Sequence, residues 1–506
     1  MRLSELLKKT GYSTEATIVD VEITEIVTDS SRVTYNSMFI CLVGSIGDGH
    51  RHITEALLKG AACIVVQRGV QSDMPFFSRK RANVVECDNT RLAAARLYSV
   101  WYGEPAKRLK LIAVTGTNGK TSVTVMLKSI FEAAFYKCGI IGTVACYSGK
   151  RRLLDSPDRP LSNMTTPDPK QLYRMLAFMA ADKVDYVFIE ASSHALKLFK
   201  LDAISFECGI FLNLGRDHLD FHKTAEDYLL SKLRLFELCK RGLINADSER
   251  SPEIWERANR YCQCKSFSSG GRAADFRADD IENCGVGGIC YTLRSKNTVM
   301  KVKSPIPGDF TVENTLCAAS CALMMGVPPQ TVRYALESLC GVEGRVERLK
   351  TDENIDFSVF IDYAHTPEAL ERLLQSFKTM KRDGRLVLLF GCGGDRDRVK
   401  RSEMGRIASI LADRCVITAD NSRGERTADI MSDIMSGIDE CNRCKCEMIE
   451  DRRRAIEKTI GEARHGDLII LAGKGHEKYE IDSAGRHEFD EKNIALGAIR
   501  KYHGNN

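Results

Sequence analysis

The sequence predicts an α/β fold in three domains: a smaller N-terminal α/β domain, a central P-loop-type open sheet and a C-terminal Rossmann-like domain. Three observations predict it. At 506 residues the chain has the length of about three domains. Short apolar, β-branched runs recur between helical stretches, the pattern of parallel βα units. Several of these runs end directly in a polar or glycine-rich cluster, and open parallel sheets bind ligands at the carboxyl ends of their strands.

In the first ~100 residues, β runs at Met38 to Leu42, Cys63 to Val66 and Asn83 to Glu86 alternate with helical patterns, which defines a small α/β unit over 1–107. Trp101 to Lys110 is mostly polar, contains Pro105 and reads as a linker. The second domain, 108–340, opens on Leu111-Ile-Ala-Val-Thr-Gly-Thr-Asn-Gly-Lys-Thr-Ser122. This is a buried strand, a turn with Gly116 and Gly119, and a helix with Val123, Met126, Leu127 and Ile130 on one face. Such a turn cradles phosphate: backbone N–H groups and the helix start face the anion, Lys120 reaches the outer phosphates, and Thr121 can ligate Mg²⁺. The usual Walker pattern has its first glycine where this chain has Val114, so the loop is a variant.

Further strands are expected at Tyr186 to Glu190 and Gly209 to Leu212. Glu190-Ala-Ser-Ser-His194 follows the first, and a carboxylate there can hold Mg²⁺; Ser192 and Ser193 equally suit a helix cap. Asn213-Leu-Gly-Arg-Asp-His-Leu-Asp-Phe-His222 follows the second and crowds together Asp217, His218, Asp220 and His222. A magnesium-binding histidine with hydrogen-bonding aspartates fits it better than zinc, for which the spacing is wrong, and a plain solvated loop is the alternative.

A break near Cys340 to Arg345 opens the third domain, 341–506, with strands at Val359 to Asp362, Leu386 to Phe390, Cys415 to Thr418 and Leu468 to Ala472. Three clusters follow strands there: Gly391-Cys-Gly-Gly-Asp-Arg-Asp397, Asp420-Asn-Ser-Arg423 and Gly473-Lys-Gly-His-Glu477. Arg396 and Arg423 can each grip a carboxylate through paired N–H bonds, and Glu477 can hold an amine. Together they describe an amino-acid site.

Composition narrows the function classes. A net charge of +5 from interspersed residues gives no footprint for nucleic acid, and the densest basic run, Asp451-Arg-Arg-Arg454, reads as a solvated helix face. No stretch approaches the ~20 apolar residues of a membrane span, and the start lacks a signal-peptide core, so a soluble cytoplasmic protein is expected. Nineteen cysteines are then reduced thiols, and Cys441 with Cys444 is a C-x₂-C pair that no second pair answers as a zinc site.

Thr115-Gly-Thr-Asn-Gly-Lys-Thr121, Glu190-Ala-Ser-Ser-His194, Asn213 to His222, Gly344-Arg-Val-Glu347, Asp362-Tyr-Ala-His-Thr-Pro367 and Gly473-Lys-Gly-His-Glu477 resemble, in order and spacing, the Mur ligases. Thr28-Asp-Ser-Ser-Arg32 and Gly44-Ser-Ile-Gly-Asp-Gly49 resemble members that add the third residue of the peptide. The resemblance implies an ATP-binding central domain and ATP-dependent amide formation through an acyl phosphate. The substrates would be UDP-N-acetylmuramoyl-L-alanyl-D-glutamate and meso-2,6-diaminopimelate, with L-lysine as the alternative amino acid and a folate polyglutamate ligase as the alternative enzyme. It assigns ATP to Gly116, Thr117, Asn118, Gly119, Lys120, Thr121 and Ser122, with Asn314 and Arg345 on the adenine or ribose side. Lys120, Glu190, His218 and Lys232 become catalytic, and Thr121, Glu190, His218 and a carbamylated Lys232 hold Mg²⁺. The nucleotide-sugar falls to Ser31, Ser45, Ile46, Gly47, Thr165, Thr166, Ser192 and Lys200, and the amino acid to Arg396, Asp420, Asn421, Arg423, Gly473 and Glu477. The implied partners are small molecules only, with no nucleic acid or membrane, and the implied state is a monomer. Many members carry a glutamine and an arginine where this chain has Leu198 and Lys200, and diaminopimelate-adding members carry proline where it has Ser422.

Overall fold

The computed structural model describes residues 1–14, 19–44, 47–70, 83–144, 146–153, 164–215, 217, 219–339 and 341–505. Two compact units emerge, one of Met1–Lys120, Phe135–Ile244 and Ser248–Lys265, the other of Thr121–Ala134, Asn245–Asp247 and Ser266–Asn506. The mixed α/β class with parallel sheets is as the strand spacing predicts.

The first unit begins with a four-stranded parallel sheet, Ile26–Val27, Met38–Ile40, Cys63–Gln67 and Asn83–Cys87, in that order. Alternate residues go to opposite faces: Met38, Ile40, Cys63 and Val65 join one apolar core, while Phe39, Ile64 and Val66 join another with Ile53 and Ala56. The expected linker is instead the end of the Thr90–Trp101 helix and a 3₁₀ turn, Pro105–Arg108, in which Pro105 and Ala106 are buried.

The same unit holds the central parallel sheet. Lys110–Thr115 lies between Tyr186–Glu190 and Cys208–Phe211; Cys138–Ile141 flanks the former and Arg241–Asn245 the latter. Strands covered on both faces read as continuous apolar runs, and Leu111 to Val114 are fully buried. Because the chain reverses its direction of winding on either side of Lys110–Thr115, the carboxyl ends of these strands open to a switch point.

The second unit contains an antiparallel meander, Phe276–Asn283, Ile289–Ser295 and Val299–Ser304, and a six-stranded sheet. The order of that sheet is Glu347–Arg348, Ser358–Asp362, Leu468–Ala472, Leu386–Phe390, Arg414–Ile417 and Cys446–Met448, all parallel except the first. Phe360, Leu388, Ile417 and Ile470 pack on one face, and Val359, Leu389, Val416 and Leu471 on the other, the two-sided burial of a Rossmann-like sheet. A two-stranded hairpin, Tyr479–Asp482 with Gly485–Glu488, follows the last central strand. The expectation for the basic run from Asp451 to Arg454 needs correcting: Asp451, Arg453 and Arg454 are exposed, but Arg452 is only 2% exposed. It falls three and four residues before Ala455 and Ile456, on the inward face of the Arg452–Gly461 helix. No helix among the described residues is long and apolar enough to cross a membrane.

Candidate functional site

In the first unit the glycine turn runs from the strand Lys110–Thr115 to a helix starting at Lys120. Gly119 has φ +87°, the left-handed conformation that favours glycine. Asn213, the residue two beyond the strand Cys208–Phe211, holds the turn in shape. Its carboxamide oxygen accepts from the Asn118 N–H at 2.9 Å, its NH₂ donates to the Asn118 carbonyl at 3.2 Å, and its own carbonyl accepts from the Thr117 N–H at 3.1 Å. The Thr117 hydroxyl bridges the Gly215 N–H at 2.9 Å and the Tyr228 hydroxyl at 3.1 Å. Lys120 folds back on the turn, its ammonium donating to the carbonyls of Gly116 (2.8 Å) and Thr117 (3.0 Å). Thr121 is buried and Ser122 half-buried in the first helical turn.

Glu190 ends its strand only 1% exposed. Its carboxylate accepts from the Thr143 N–H at 3.0 Å and the Thr143 hydroxyl at 2.9 Å. Gly142 permits this approach, since a Cβ there would lie 2.2 Å from Glu190 Oε1. The Thr143 and Thr165 hydroxyls share a 3.2 Å bond; the Thr166 hydroxyl donates to the Glu190 carbonyl at 2.7 Å and shares a 3.1 Å bond with Ser192. Ser192 also caps the Ser193–Lys197 helix. The structure therefore gathers Glu190, Thr165, Thr166 and Ser192 into one network, in which metal-capable and capping readings coexist. Lys200, 6% exposed, pairs with Asp168 at 2.7 Å.

Lys232 lies on the Ala225–Glu237 helix, 1% exposed, its ammonium 4.4 Å from the centre of the Tyr228 ring. Among the described residues no carboxylate pairs with it. Burial pushes its pKa well below the ordinary lysine range, the Lys120 charge pushes the same way, and Asp217 opposes both. His222 is fully buried and has a packing role, its ring bonded to Ser193 (2.9 Å) and Ser231 (3.4 Å). His218, Ser45 and Ile46 lie outside the described residues, as does the Asp220 side chain. Among those described, no group of three or more His, Cys, Asp or Glu could hold a metal. Ser31 is exposed on the 3₁₀ turn Ser30–Arg32, bonded to Asp29 at 2.7 Å, and Gly47 is exposed with its carbonyl accepting from Gly44.

The second unit assembles the other cluster. Asp420 and Asn421 follow the Arg414–Ile417 strand, and Gly473 to Glu477 follow Leu468–Ala472. The Asn421 carboxamide donates to Glu477 at 2.8 Å, and the Tyr363 hydroxyl donates to the other Glu477 oxygen at 3.3 Å. Burial raises the Glu477 pKa above the usual carboxylate range, with the Asn421 bond opposing. Asp420 is driven up by burial, but Lys474 and Arg452 together bring it below its ordinary value. Arg423 sits at φ +52°, its N–H on the Ile481 carbonyl (3.0 Å) and its guanidinium on the Gly394 carbonyl (2.8 Å). Ser422 is buried, with its carbonyl against Gly394. Arg396 is exposed, its stem beside Gly393. Arg345 stacks on Tyr363 at 4.6 Å, and its buried Nε has no partner among the described residues. Asn314 is buried on the Phe310–Met324 helix.

Residue-type reasoning gave no role to Asn213, Thr143 or Lys474. Asn213 and Lys474 stood inside clusters marked at strand ends, so position was the available signal for them; Thr143 follows the strand Cys138–Ile141, which the sequence reading did not mark.

Parallel sheets with a glycine turn at one strand end and paired polar loops at another are the architecture of a nucleotide-fold enzyme. Three family models match in chain order: Mur ligase family, catalytic domain, over 22–113; Mur ligase middle domain over 114–322; and Mur ligase, glutamate ligase domain, over 344–475. The UDP-N-acetylmuramoyl-L-alanyl-D-glutamate–2,6-diaminopimelate ligase 1 of Clostridium acetobutylicum is 38% identical over 99% of this chain and 100% of its own. The Clostridium tetani ligase of the same specificity is 37% identical over 99% and 100%. A solved structure of a UDP-N-acetylmuramoyl-L-alanyl-D-glutamate–2,6-diaminopimelate ligase superposes with a TM-score of 0.68 at 28% identity, covering 99% of both chains. The chain belongs to the Mur ligase family.

Proposed function

We propose that the protein is an ATP-dependent ligase that joins meso-2,6-diaminopimelate to UDP-N-acetylmuramoyl-L-alanyl-D-glutamate in peptidoglycan precursor synthesis. The observation that carries this reading is the full-length match to ligases of that printed specificity. The domain division 1–107, 108–340 and 341–506, a monomeric state, a cytoplasmic location and small-molecule partners belong to the same proposal.

The D-glutamate γ-carboxylate attacks the γ-phosphorus of ATP, ADP leaves, and an acyl phosphate forms. The amine of the incoming amino acid then attacks the acyl carbon and expels phosphate, leaving an amide and a released proton. Catalysis is positioning and charge neutralisation. Lys120 exchanges the Gly116 and Thr117 carbonyls for phosphate oxygens, so its charge is delivered without a long reach. Thr165, Thr166 and Ser192 face the dipeptide end of the nucleotide-sugar. Arg423 and Arg396 hold the distal carboxylate that lysine lacks, and Glu477, oriented by Asn421, holds the ammonium beside it.

The family implies Mg²⁺. Glu190 fits as a ligand; Lys232 as an ammonium does not. Its burial favours the neutral amine, which can add to CO₂ with loss of one proton and become an anionic carbamate. In that form Lys232 with Glu190 would hold Mg²⁺, which supplies neutralisation of phosphate charge.

Phosphate release from ATP in the presence of the nucleotide-sugar dipeptide tests the reading. Release that depends on diaminopimelate supports it. Preference for L-lysine overturns the specificity, and release without either substrate makes the protein an ATPase. Arg423→Ala should raise the KM for diaminopimelate far more than that for ATP; equal rises would remove Arg423 as a substrate clamp.

A further inference from the structure

Lys474 is fully buried beside Asp420 and Asn421, yet nothing in the reaction calls on it directly. Its ammonium donates to the Asn421 carboxamide oxygen at 3.2 Å and the Tyr479 carbonyl at 3.0 Å, and it forms an ion pair with Asp420 Oδ1 at 3.4 Å. The Asn421 oxygen accepts a second bond, from the Ile481 N–H at 3.0 Å. Two donors on that oxygen leave the carboxamide one orientation, with its NH₂ on Glu477. The Ile481 carbonyl in turn accepts the Arg423 N–H, so the hairpin strand Tyr479–Asp482 meets the 420–423 loop through both polar groups of one residue.

We propose that Lys474 is a positioning residue for the amino-acid pocket. It fixes the Asn421 carboxamide so that its NH₂ holds Glu477 Oε2 in a set place, and it ties the Tyr479–Glu488 hairpin to the loop that presents Arg423. The proposal rests on the reading of this pocket as the amino-acid site. It predicts that the hairpin determines how well the amino acid is held without touching ATP.

The experiment compares Lys474→Met, Lys474→Arg and Ile481→Pro in the full chain, with KM measured separately for diaminopimelate, nucleotide-sugar dipeptide and ATP. Ile481→Pro deletes the N–H that Asn421 receives; that N–H faces away from the partner strand, so the hairpin ladder keeps its bonds. Loss of one such bond to a buried amide should raise the diaminopimelate KM about tenfold, with the ATP KM within about twofold. Lys474→Arg should recover part of the loss. In an Asn421→Ala background, adding Lys474→Met should cost little more, because both act on one interaction. Equal rises in all three KM values, or additive losses in the double variant, would overturn the proposal. If Lys474→Met does not fold, an unchanged diaminopimelate KM in Ile481→Pro overturns it alone. A wild-type chain with no amino-acid-dependent phosphate release would instead overturn the functional reading.

Discussion

The two candidate regions solve opposite electrostatic problems. In the first unit the glycine turn is shaped by neutral amide and hydroxyl bonds from Asn213 and Thr117, while Lys232 lies buried with no carboxylate paired to it among the described residues. In the second unit the buried cations are matched: Lys474 by Asp420 and two carbonyl-type oxygens, Arg452 by Glu491 and the carbonyls of Ala419 and Ala472, Arg401 by Glu425 and Asp433. A network of matched charges is costly to break and fixes geometry. A buried amine with no paired carboxylate among the described residues is costly to charge, and a bound anion or a covalent change relieves that cost. The first region is thus built to receive charge and the second to hold a shape.

Four outcomes would break or sharpen that contrast. Arg452→Met removes the cation from Glu491 and unties the ends of the Arg414–Ile417 and Leu468–Ala472 strands. It should lower stability by about 3–5 kcal/mol, read as a fall in urea midpoint. A loss within about 1 kcal/mol would mean that the second region does not depend on its matched charges. Lys120→Ala should leave the unfolding midpoint unchanged and cut turnover by about 10²–10³, the scale of one charge stabiliser lost from a transition state. Turnover kept within about tenfold would remove Lys120 from the chemistry.

Asn213→Ala lies between these. The turn loses two side-chain bonds, so the ATP KM should rise with a cost of about 1–3 kcal/mol while the diaminopimelate KM holds. A rise confined to the amino acid would contradict a turn-shaping role. The smallest effect is in pH. Glu477 must be ionised to hold an ammonium, and burial raises its pKa. The diaminopimelate KM should therefore climb as pH falls, at a pH above the ordinary glutamate value of about 4.3. Glu477→Gln should flatten that limb; a limb that survives unchanged belongs to another group. The sign for stability is opposite to that of a salt-bridged acid. The folded chain keeps this proton longer than the unfolded chain, so stability falls as pH rises from the ordinary to the raised value.

Much of the fold was legible because parallel strands buried on both faces must be apolar throughout. The runs at Tyr186–Glu190, Leu386–Phe390 and Leu468–Ala472 occur with the bounds their sequences suggest. The Lys120 helix likewise buries Val123, Met126, Leu127 and Ile130. Arg452 was misread because charge alone says solvent, whereas its helical position beside Ala455 and Ile456 says core. Pro105 was misread as part of a linker because proline marks a turn whether or not that turn is buried.

By itself, the sequence determined where strands end and which chemistry stands at each end, since periodicity and residue type are local properties. Tertiary structure alone decided which ends meet. Thr143 reaches Glu190 across 47 residues, Asn213 reaches Asn118 across 95, and Lys474 reaches Asn421 across 53. Hydrogen-bond partners and burial depend on three-dimensional neighbours, and no spacing along the chain encodes a distance between strands brought together by winding.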